Sequence, residues 1–160
     1  MTAPERIVFD CNIYFQALTS PRGPARRLLE FAAAGRVSLF VSTYTLDELQ
    51  DVAARPHILR KYGLESSVVE EFLRDVRSCS TCLESVPHVF DFPRDPSDAH
   101  YVDLALAVDA KLIVSRDDDL LSLRDAGTAE GRDFLSRYPT LLILTPPEVL
   151  KLLATTRSPE

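Results

Sequence analysis

Short, mostly apolar runs alternate along the chain with longer segments in which apolar residues recur every three or four positions. The runs cover Ile7–Phe9, Val37–Val41, Leu112–Val114 and Leu141–Leu144. Such runs are typical of strands that are buried on both faces, and the spacing between them is helical. Strands that alternate with helices indicate βαβ units. The pattern therefore predicts an α/β fold, a three-layer α/β/α sandwich with a central parallel sheet.

Proline, glycine and hydroxyl residues predict where the helices begin and end. The predicted helices run from Asn12 to Leu18, from Pro24 to Gly35, from Ser42 or Thr43 to Pro56, over residues 57–62, from Ser66 to about Val76, from Ser97 to about Asp109, and from Thr145 onward, with short helical pieces around Gly127 and Gly131. Residues 84–97 are rich in proline and are predicted to form a connection, with a short strand around Val86–Phe90.

A chain of 160 residues has the size of one compact domain. We expect this domain to span residues 5–150, with residues 151–160 forming the end of the C-terminal helix and a polar tail. No apolar run reaches the roughly 20 residues that a membrane-spanning helix needs. The first residues also lack the apolar run of a signal peptide, and together these features favour a cytoplasmic protein.

The net charge of −6 limits the ways in which the protein can bind nucleic acid. It disfavours a protein that grips a phosphate backbone over a wide basic face. It does not exclude an enzyme whose carboxylates hold a divalent cation that in turn meets a phosphate.

Cysteine and histidine residues lack the spacing of a metal site. Cys79 and Cys82 form one C-x-x-C pair without a second pair, so we expect reduced, inert thiols, with zinc or redox chemistry as the alternative. The three histidines are predicted to be surface groups: His57, His88 and His100. Basic residues are expected on solvated faces, contact with a phosphate backbone being the alternative: Arg22, Arg26, Arg27, Arg55, Arg60 and Lys61.

Acidic residues occur at the ends of the predicted core elements. Asp10 directly follows the first strand, and Asp117 follows the Leu112–Val114 strand. Asp98 lies in the first turn of the helix before that strand, and Glu48 lies near the start of the helix after the second strand. In a parallel sheet, the carboxyl ends of strands and the amino ends of helices lie at the same edge. We therefore expect four segments to bring carboxylates to one rim.

Carboxylates can crowd together only if their pKa values rise or a cation binds them. Oxygen ligands without histidine or cysteine suit Mg²⁺ or Mn²⁺. Such an ion binds phosphates, activates a water and stabilises developing negative charge. Hydrolysis of a phosphodiester is the reaction class that fits this arrangement best.

Each acid also has a purely structural interpretation. Asp10 and Asp117 can cap the helices that follow them, and Asp98 can favour the positive end of its helix. Glu48 can be the acid of a capping box that begins three residues earlier. The convergence of all four at one rim favours the functional interpretation. Asp103, five residues beyond Asp98, is expected to support the site or to be solvated.

These motifs resemble those of PIN-domain proteins, of the branch that forms the toxin components of toxin–antitoxin pairs. The resemblance runs from about Ile7 to Pro146. It is carried by Val8-Phe9-Asp10-Cys11-Asn12, by Val41-Ser42-Thr43 with Leu46-Asp47-Glu48-Leu49, by Arg94-Asp95-Pro96-Ser97-Asp98-Ala99-His100-Tyr101 with Leu104-Ala105, and by Leu112-Ile113-Val114-Ser115-Arg116-Asp117. The family often has Thr or Ser where this chain has Cys11, a change that removes no ligand.

The resemblance implies a metal-dependent ribonuclease on a three-layer α/β/α fold. It implies that the catalytic and metal-binding acids are Asp10, Glu48, Asp98 and Asp117. Asp47 and Asp95 are the alternative acids to Glu48 and Asp98. The polar positions that support the acids are matched by Asn12, Ser42 and Ser115. The resemblance further implies Mg²⁺ or Mn²⁺ as cofactor, RNA as substrate, a small antitoxin as partner and a homodimer.

Two other functions compete with a metal-dependent ribonuclease. The first is a non-catalytic PIN-like module that only binds RNA or protein, which four intact acids disfavour. The second is a phosphotransferase that forms an aspartyl-phosphate at Asp10. Such enzymes commonly carry a second acid two residues further on, whereas this chain has Asn12.

Overall fold

Within residues 3–156, which the computed structural model describes, five strands form one parallel sheet. The strands are β1 (Glu5–Phe9), β2 (Val37–Ser42), β3 (Ser80–Leu83), β4 (Leu112–Val114) and β5 (Leu142–Leu144). Their order in the sheet is β3-β2-β1-β4-β5, and every neighbouring pair is parallel. The first strand of the chain is therefore the central one, and its carboxyl end lies at the middle of the sheet edge.

Helices connect the strands and cover both faces of the sheet. They are α1 (Cys11–Thr19), α2 (Pro24–Ala33), α3 (Thr43–Ala53), α4 (Pro56–Tyr62), α5 (Ser66–Ser78), α6 (Ala99–Ala107), α7 (Asp118–Leu121), α8 (Ala129–Arg137) and α9 (Pro146–Thr156). Two 3-10 turns, Pro96–Asp98 and Ser122–Arg124, precede α6 and follow α7. No helix among these residues is long and apolar enough to cross a membrane.

Alternating side chains of β1 belong to two separate cores. Ile7 and Phe9 pack on one face of the sheet with residues of α1, α2, α3, α5 and α9. Val8 packs on the opposite face with residues of α6, α7 and α8. Because both faces are buried, the strand needs apolar residues at every position and not at every second one. The predicted three-layer α/β/α sandwich is confirmed.

The start of α3 and both ends of α4 lie at or next to residues that the sequence predicts. Ser42 is the N-cap of α3, and its hydroxyl oxygen accepts a hydrogen bond from the Thr45 backbone N–H at 3.1 Å. Pro56 lies in the first turn of α4. Gly63 ends that helix with a φ of 60°, a left-handed conformation that glycine adopts without a steric cost.

One predicted strand is wrong. Residues 86–90 have no regular structure, and the extra strand lies earlier, at Ser80–Leu83, where it pairs with the outer edge of β2. The backbone N–H groups of Val89 and Phe90 instead donate to a carboxylate oxygen of Asp103, at 2.9 and 2.7 Å. This side chain satisfies the donors that a strand would have directed to a neighbouring strand.

The end of the chain is described only in part. Helix α9 continues to Thr156, so the first residues of the predicted polar tail are helical. The rest of that tail, residues 157–160, lies outside the described residues.

Candidate metal centre

Asp10 lies at the carboxyl end of the central strand and is 3% exposed. Its Oδ1 accepts a hydrogen bond from the Ile13 backbone N–H at 3.0 Å and so caps α1. Its Oδ2 accepts a short hydrogen bond from the Ser115 hydroxyl. Burial raises the pKa of Asp10 to about 6, against the lowering effect of these hydrogen bonds, and the charge of Asp117 raises it further. Asp10 therefore caps a helix and also lies at the acidic edge, so its structural and functional interpretations are compatible.

Asp117 lies three residues beyond β4, the neighbour of β1. Its backbone N–H donates to the Ser115 hydroxyl oxygen at 2.9 Å. Its Oδ1 accepts from the backbone N–H groups of Asp119 and Leu120, at 2.9 and 3.2 Å, and so caps α7. Ser115 thus connects Asp10 to the turn that carries Asp117.

Asp98 is the N-cap residue of α6 and is half-buried. Its pKa is raised to about 7, first by burial and then by the charges of Asp95 and Asp117, by a hydrogen bond with Asp95, and by the charge of Asp10. Three other carboxyl groups therefore act on Asp98. A site in which like charges raise one another's pKa values is one that a cation would stabilise.

Glu48 reaches the same edge from α3. Its Oε1 accepts a hydrogen bond from the Tyr101 hydroxyl at 3.3 Å and lies 3.2 Å from His100 Nε2. The capping box that would have explained Glu48 as a structural acid does not form, because Ser42 is the N-cap of α3. The carboxylate instead points across the helix interface toward α6.

Cys11 lies among these acids. Burial raises the pKa of its thiol to about 12, and the charges of Glu48, Asp10 and Asp98 act in the same direction. Its backbone N–H donates to the Tyr101 hydroxyl at 3.0 Å. The thiol therefore stays neutral, and three of the four predicted acids act on it at one edge of the sheet.

The three polar residues predicted to support the acids contribute differently. Ser115 is fully buried and contacts Asp10 directly. Ser42 is buried and acts through the backbone, by capping the helix that carries Glu48. Asn12 is exposed at the start of α1, and its backbone N–H lowers the pKa of Asp10.

A second group of carboxylates overlaps with the predicted four. One carboxylate oxygen from each of Asp95, Asp117 and Asp119 lies within 4.8 Å of the others. Asp119 also pairs with the Arg94 Nε at 2.7 Å. These hard oxygen donors, without nitrogen or sulfur, fit a cation such as Mg²⁺ or Mn²⁺. Asp95, which the sequence offers as the alternative to Asp98, acts on Asp98 at the same edge.

The prediction that His100 is a surface group is wrong, because His100 is half-buried and lies against Glu48. Of the two alternatives predicted for Asp103, solvation is wrong. Its side chain is buried and binds the backbone of residues 89 and 90 together with His88 Nδ1 at 2.8 Å. The signal for His100 was its place in the first turn after Asp98, directly before Tyr101.

Cys11, Cys79 and Cys82 are free thiols.

A cavity of about 700 Å³ lies at the opposite edge of the sheet, where strands begin, and its charged lining residues are Glu5, Arg36 and Lys111. None of the four predicted acids lines this cavity, so the carboxyl edge is the candidate site.

The sequence model of the PIN domain matches residues 6–119, and the chain belongs to the PIN domain family. Members of this family are generally nucleases that act on RNA, typically with divalent metal ions. The matched residues include all four predicted acids. The chain is also similar to the uncharacterized protein MJ1680 of Methanocaldococcus jannaschii, at 26% identity over 120 residues, which cover 75% of this chain and 76% of that protein.

Proposed function

We propose that the protein is a ribonuclease that depends on a divalent cation and hydrolyses phosphodiester bonds of RNA. The observation that carries this proposal is the crowding of carboxyl groups at the carboxyl edge of the sheet. Asp10 and Asp98 have raised pKa values there, and each is acted on by the charge of Asp117. A cluster of this kind gains free energy from a cation, and a cation in turn attracts a phosphate.

The acids would contribute to cation binding in different ways. Asp10 and Asp117 would bind Mg²⁺ or Mn²⁺ most directly, because Ser115 contacts both from the ends of neighbouring strands. Glu48 and Asp98 would complete the set of ligands. Asp95 and Asp119, which lie with Asp117, are available to a second cation or to ordered water.

Hydrolysis of the phosphodiester adds a water to phosphorus and breaks one P–O ester bond, and the departing oxygen takes up a proton. When bound, a hard divalent cation lowers the pKa of a water and offsets the negative charge that develops on the phosphate. The protein's own contribution is to orient the carboxylates rigidly. Capping hydrogen bonds fix Asp10 and Asp117, and the Tyr101 hydroxyl donates to Glu48, beside which the His100 ring lies.

We further propose that the protein is the toxin of a toxin–antitoxin pair. The sequence resemblance supports this role, together with a small antitoxin that covers the acidic rim and a homodimeric state. Co-expression with the product of a neighbouring small gene tests the role. A stable complex in which RNA cleavage is suppressed supports it, and unchanged cleavage in the presence of that product contradicts it.

The ribonuclease proposal is tested by replacing Asp10 with Asn. The variant keeps the side-chain shape but loses the charge, so we expect RNA cleavage in Mn²⁺ to fall on the order of 10³-fold with the fold retained. The matched control is Asp118→Asn, which makes the same change at an exposed acid beside Asp117. We expect near wild-type cleavage from the control.

Two outcomes would contradict the proposal. The first is cleavage by the Asp10→Asn variant at the wild-type rate. The second is the absence of cleavage by the wild-type protein across structured and unstructured RNA in Mg²⁺ and Mn²⁺, which would favour a non-catalytic binding module. Circular dichroism of each variant shows whether the fold is retained.

A further inference from the structure

Tyr44 presents an aromatic ring to solvent beside the acidic edge. It lies in the first turn of α3, directly after the carboxyl end of β2, and is 58% exposed. Glu48 follows four residues later on the same helix. Residues with this spacing lie on one face of a helix, with their Cβ atoms about 5–6 Å apart. The ring therefore lies one helical turn from a carboxylate of the candidate site.

His100 holds the Tyr44 ring in place from α6. The centroids of the two rings are 4.6 Å apart, and the rings meet edge to face. The imidazole also lies against Tyr101, with ring centroids 3.9 Å apart. The same imidazole places Nε2 3.2 Å from Glu48 Oε1. Tyr44, His100 and Tyr101 thus form a continuous aromatic row, and its outer member is exposed while its inner members contact the acid.

The aromatic row can bind RNA through base stacking, whereas the negative net charge of the protein does not favour RNA binding. With a net charge of −6, the chain gains little from long-range attraction of a polyanion. Stacking of a base on an exposed aromatic ring does not depend on charge and is available to every base. In a duplex, the base faces are covered by neighbouring bases, so that only unpaired nucleotides can use such a ring.

We propose that Tyr44, backed by His100, stacks on an unpaired base next to the scissile phosphate and so positions that phosphate at the acidic edge. This inference rests on the ribonuclease function proposed above. A base is joined to its phosphate through one ribose. A base on Tyr44 therefore keeps an adjacent phosphate close to Glu48 and the other acids. Tyr44 is a specificity residue in this account and does not hold the cation.

The test compares Tyr44→Ala, Tyr44→Leu and Tyr44→Phe with the wild type in Mn²⁺. The substrate is a short unstructured RNA, offered alone and paired with its complement. We expect the wild type to prefer the unpaired form by about 10-fold or more in kcat/KM. Tyr44→Ala and Tyr44→Leu should raise KM for the unpaired RNA by about 10-fold with little change in kcat. Tyr44→Phe should behave as the wild type, because phenyl and phenol rings stack alike.

Two further measurements separate this inference from the function on which it rests. Mn²⁺ affinity should be the same in Tyr44→Ala and the wild type, which shows that the site is intact. The second measurement is the quenching of 2-aminopurine in the same RNA, which reports base stacking without cleavage. We expect quenching by the wild type and by Asp10→Asn, and little quenching by Tyr44→Ala.

The possible results are distinct. If the wild type cleaves no RNA, the proposed function fails, and quenching that depends on Tyr44 still supports the stacking site. If the wild type cleaves unpaired RNA but Tyr44→Ala has an unchanged KM and quenches equally, the inference is overturned. An unchanged KM with lost binding of a co-purifying small protein overturns it in favour of a protein contact at Tyr44.

Discussion

Asp10 both caps a helix and carries charge at the candidate site, and these roles place opposite demands on its protonation. The hydrogen bonds from Ile13 and Ser115 favour the carboxylate, whereas burial and the charge of Asp117 favour the neutral acid. The second set prevails, and the pKa rises to about 6. A bound cation would shift this balance toward the carboxylate, because its charge replaces the solvation that burial removes.

The raised pKa of Asp10 makes the stability of the cation-free protein depend on pH. The ordinary pKa of 3.8 rises to about 6 on folding, so the folded protein binds a proton more tightly than the unfolded chain. The contribution of Asp10 to the free energy of unfolding therefore decreases as the pH rises from about 4 to about 6. Asp10→Asn lacks this decrease.

We expect Asp10→Asn to gain stability relative to the wild type between pH 4 and pH 7. The measurement is urea denaturation of both proteins in EDTA at several pH values. Added Mn²⁺ should stabilise the wild type at pH 7 and have little effect on the variant. A difference that does not change with pH, or one that decreases as the pH rises, would contradict the electrostatic account of this residue.

Individual acids could be predicted from the sequence because their positions follow from the ends of strands and helices. Asp10 and Asp117 are the first acids after two buried strands, and parallel pairing places such positions at one edge. The contacts of His100 could not be predicted in this way. They depend on how α3 and α6 meet above the sheet, and no local pattern in either helix encodes that distance.

At the scale of elements, a buried acid in α6 accepts backbone hydrogen bonds from the connection before that helix, where a strand was predicted. Asp103 is 3% exposed and accepts hydrogen bonds from the backbone of Val89 and Phe90. This contact draws Phe90 and Phe92 into the core on the α6 face of the sheet. The connection leads directly to Asp95 and Asp98, so its attachment to α6 also positions two acids of the candidate site.

Replacing Asp103 with Ala should destabilise the protein by about 2–4 kcal/mol. Two backbone donors lose their acceptor, and leaving a buried donor without a partner costs about 1–3 kcal/mol. The measurement is the midpoint of urea unfolding at pH 7.

The matched control is His88→Ala. The His88 ring bonds to the same carboxylate but is exposed, so its loss should cost less than about 1 kcal/mol. Equal and small effects of Asp103→Ala and His88→Ala would show that the carboxylate does not hold the connection in place.

The sequence predicted most elements but not the edge strand. The central strands have continuous apolar runs because both of their faces are buried, and most helices have one buried apolar face. Strand β3 has mostly exposed or half-buried residues and pairs with only one neighbour. Its sequence, Ser80-Thr81-Cys82-Leu83, therefore carries little apolar signal, whereas Val86–Phe90 carries more and is held by a side chain instead.

At the scale of the whole molecule, β5 joins the sheet, and α9 packs in the same core as the first strand. Strand β5 pairs in register with β4, and Val149 and Leu153 of α9 pack in the same core as Ile7. These elements lie beyond residues 6–119 that match the PIN domain model. We propose that residues 5–150 form one domain, because its two ends share a core.

A single domain of this kind should unfold in one cooperative transition. Calorimetry should give a calorimetric enthalpy equal to the van't Hoff enthalpy, and fluorescence and circular dichroism should give coincident midpoints. Two separated transitions, or early loss of structure in β5 and α9 by hydrogen exchange, would contradict the proposed boundaries.

Binding of one divalent cation by acids from separate segments can be measured directly. Isothermal titration of Mn²⁺ into the cation-free protein should show a saturable site in the wild type and in Asp118→Asn. Affinity should fall by about 10-fold or more in Asp10→Asn and in Asp117→Asn, which remove charges contributed by β1 and β4. A wild type that binds no Mn²⁺, or Asp10→Asn and Asp117→Asn variants that bind it as tightly as Asp118→Asn does, would contradict the account.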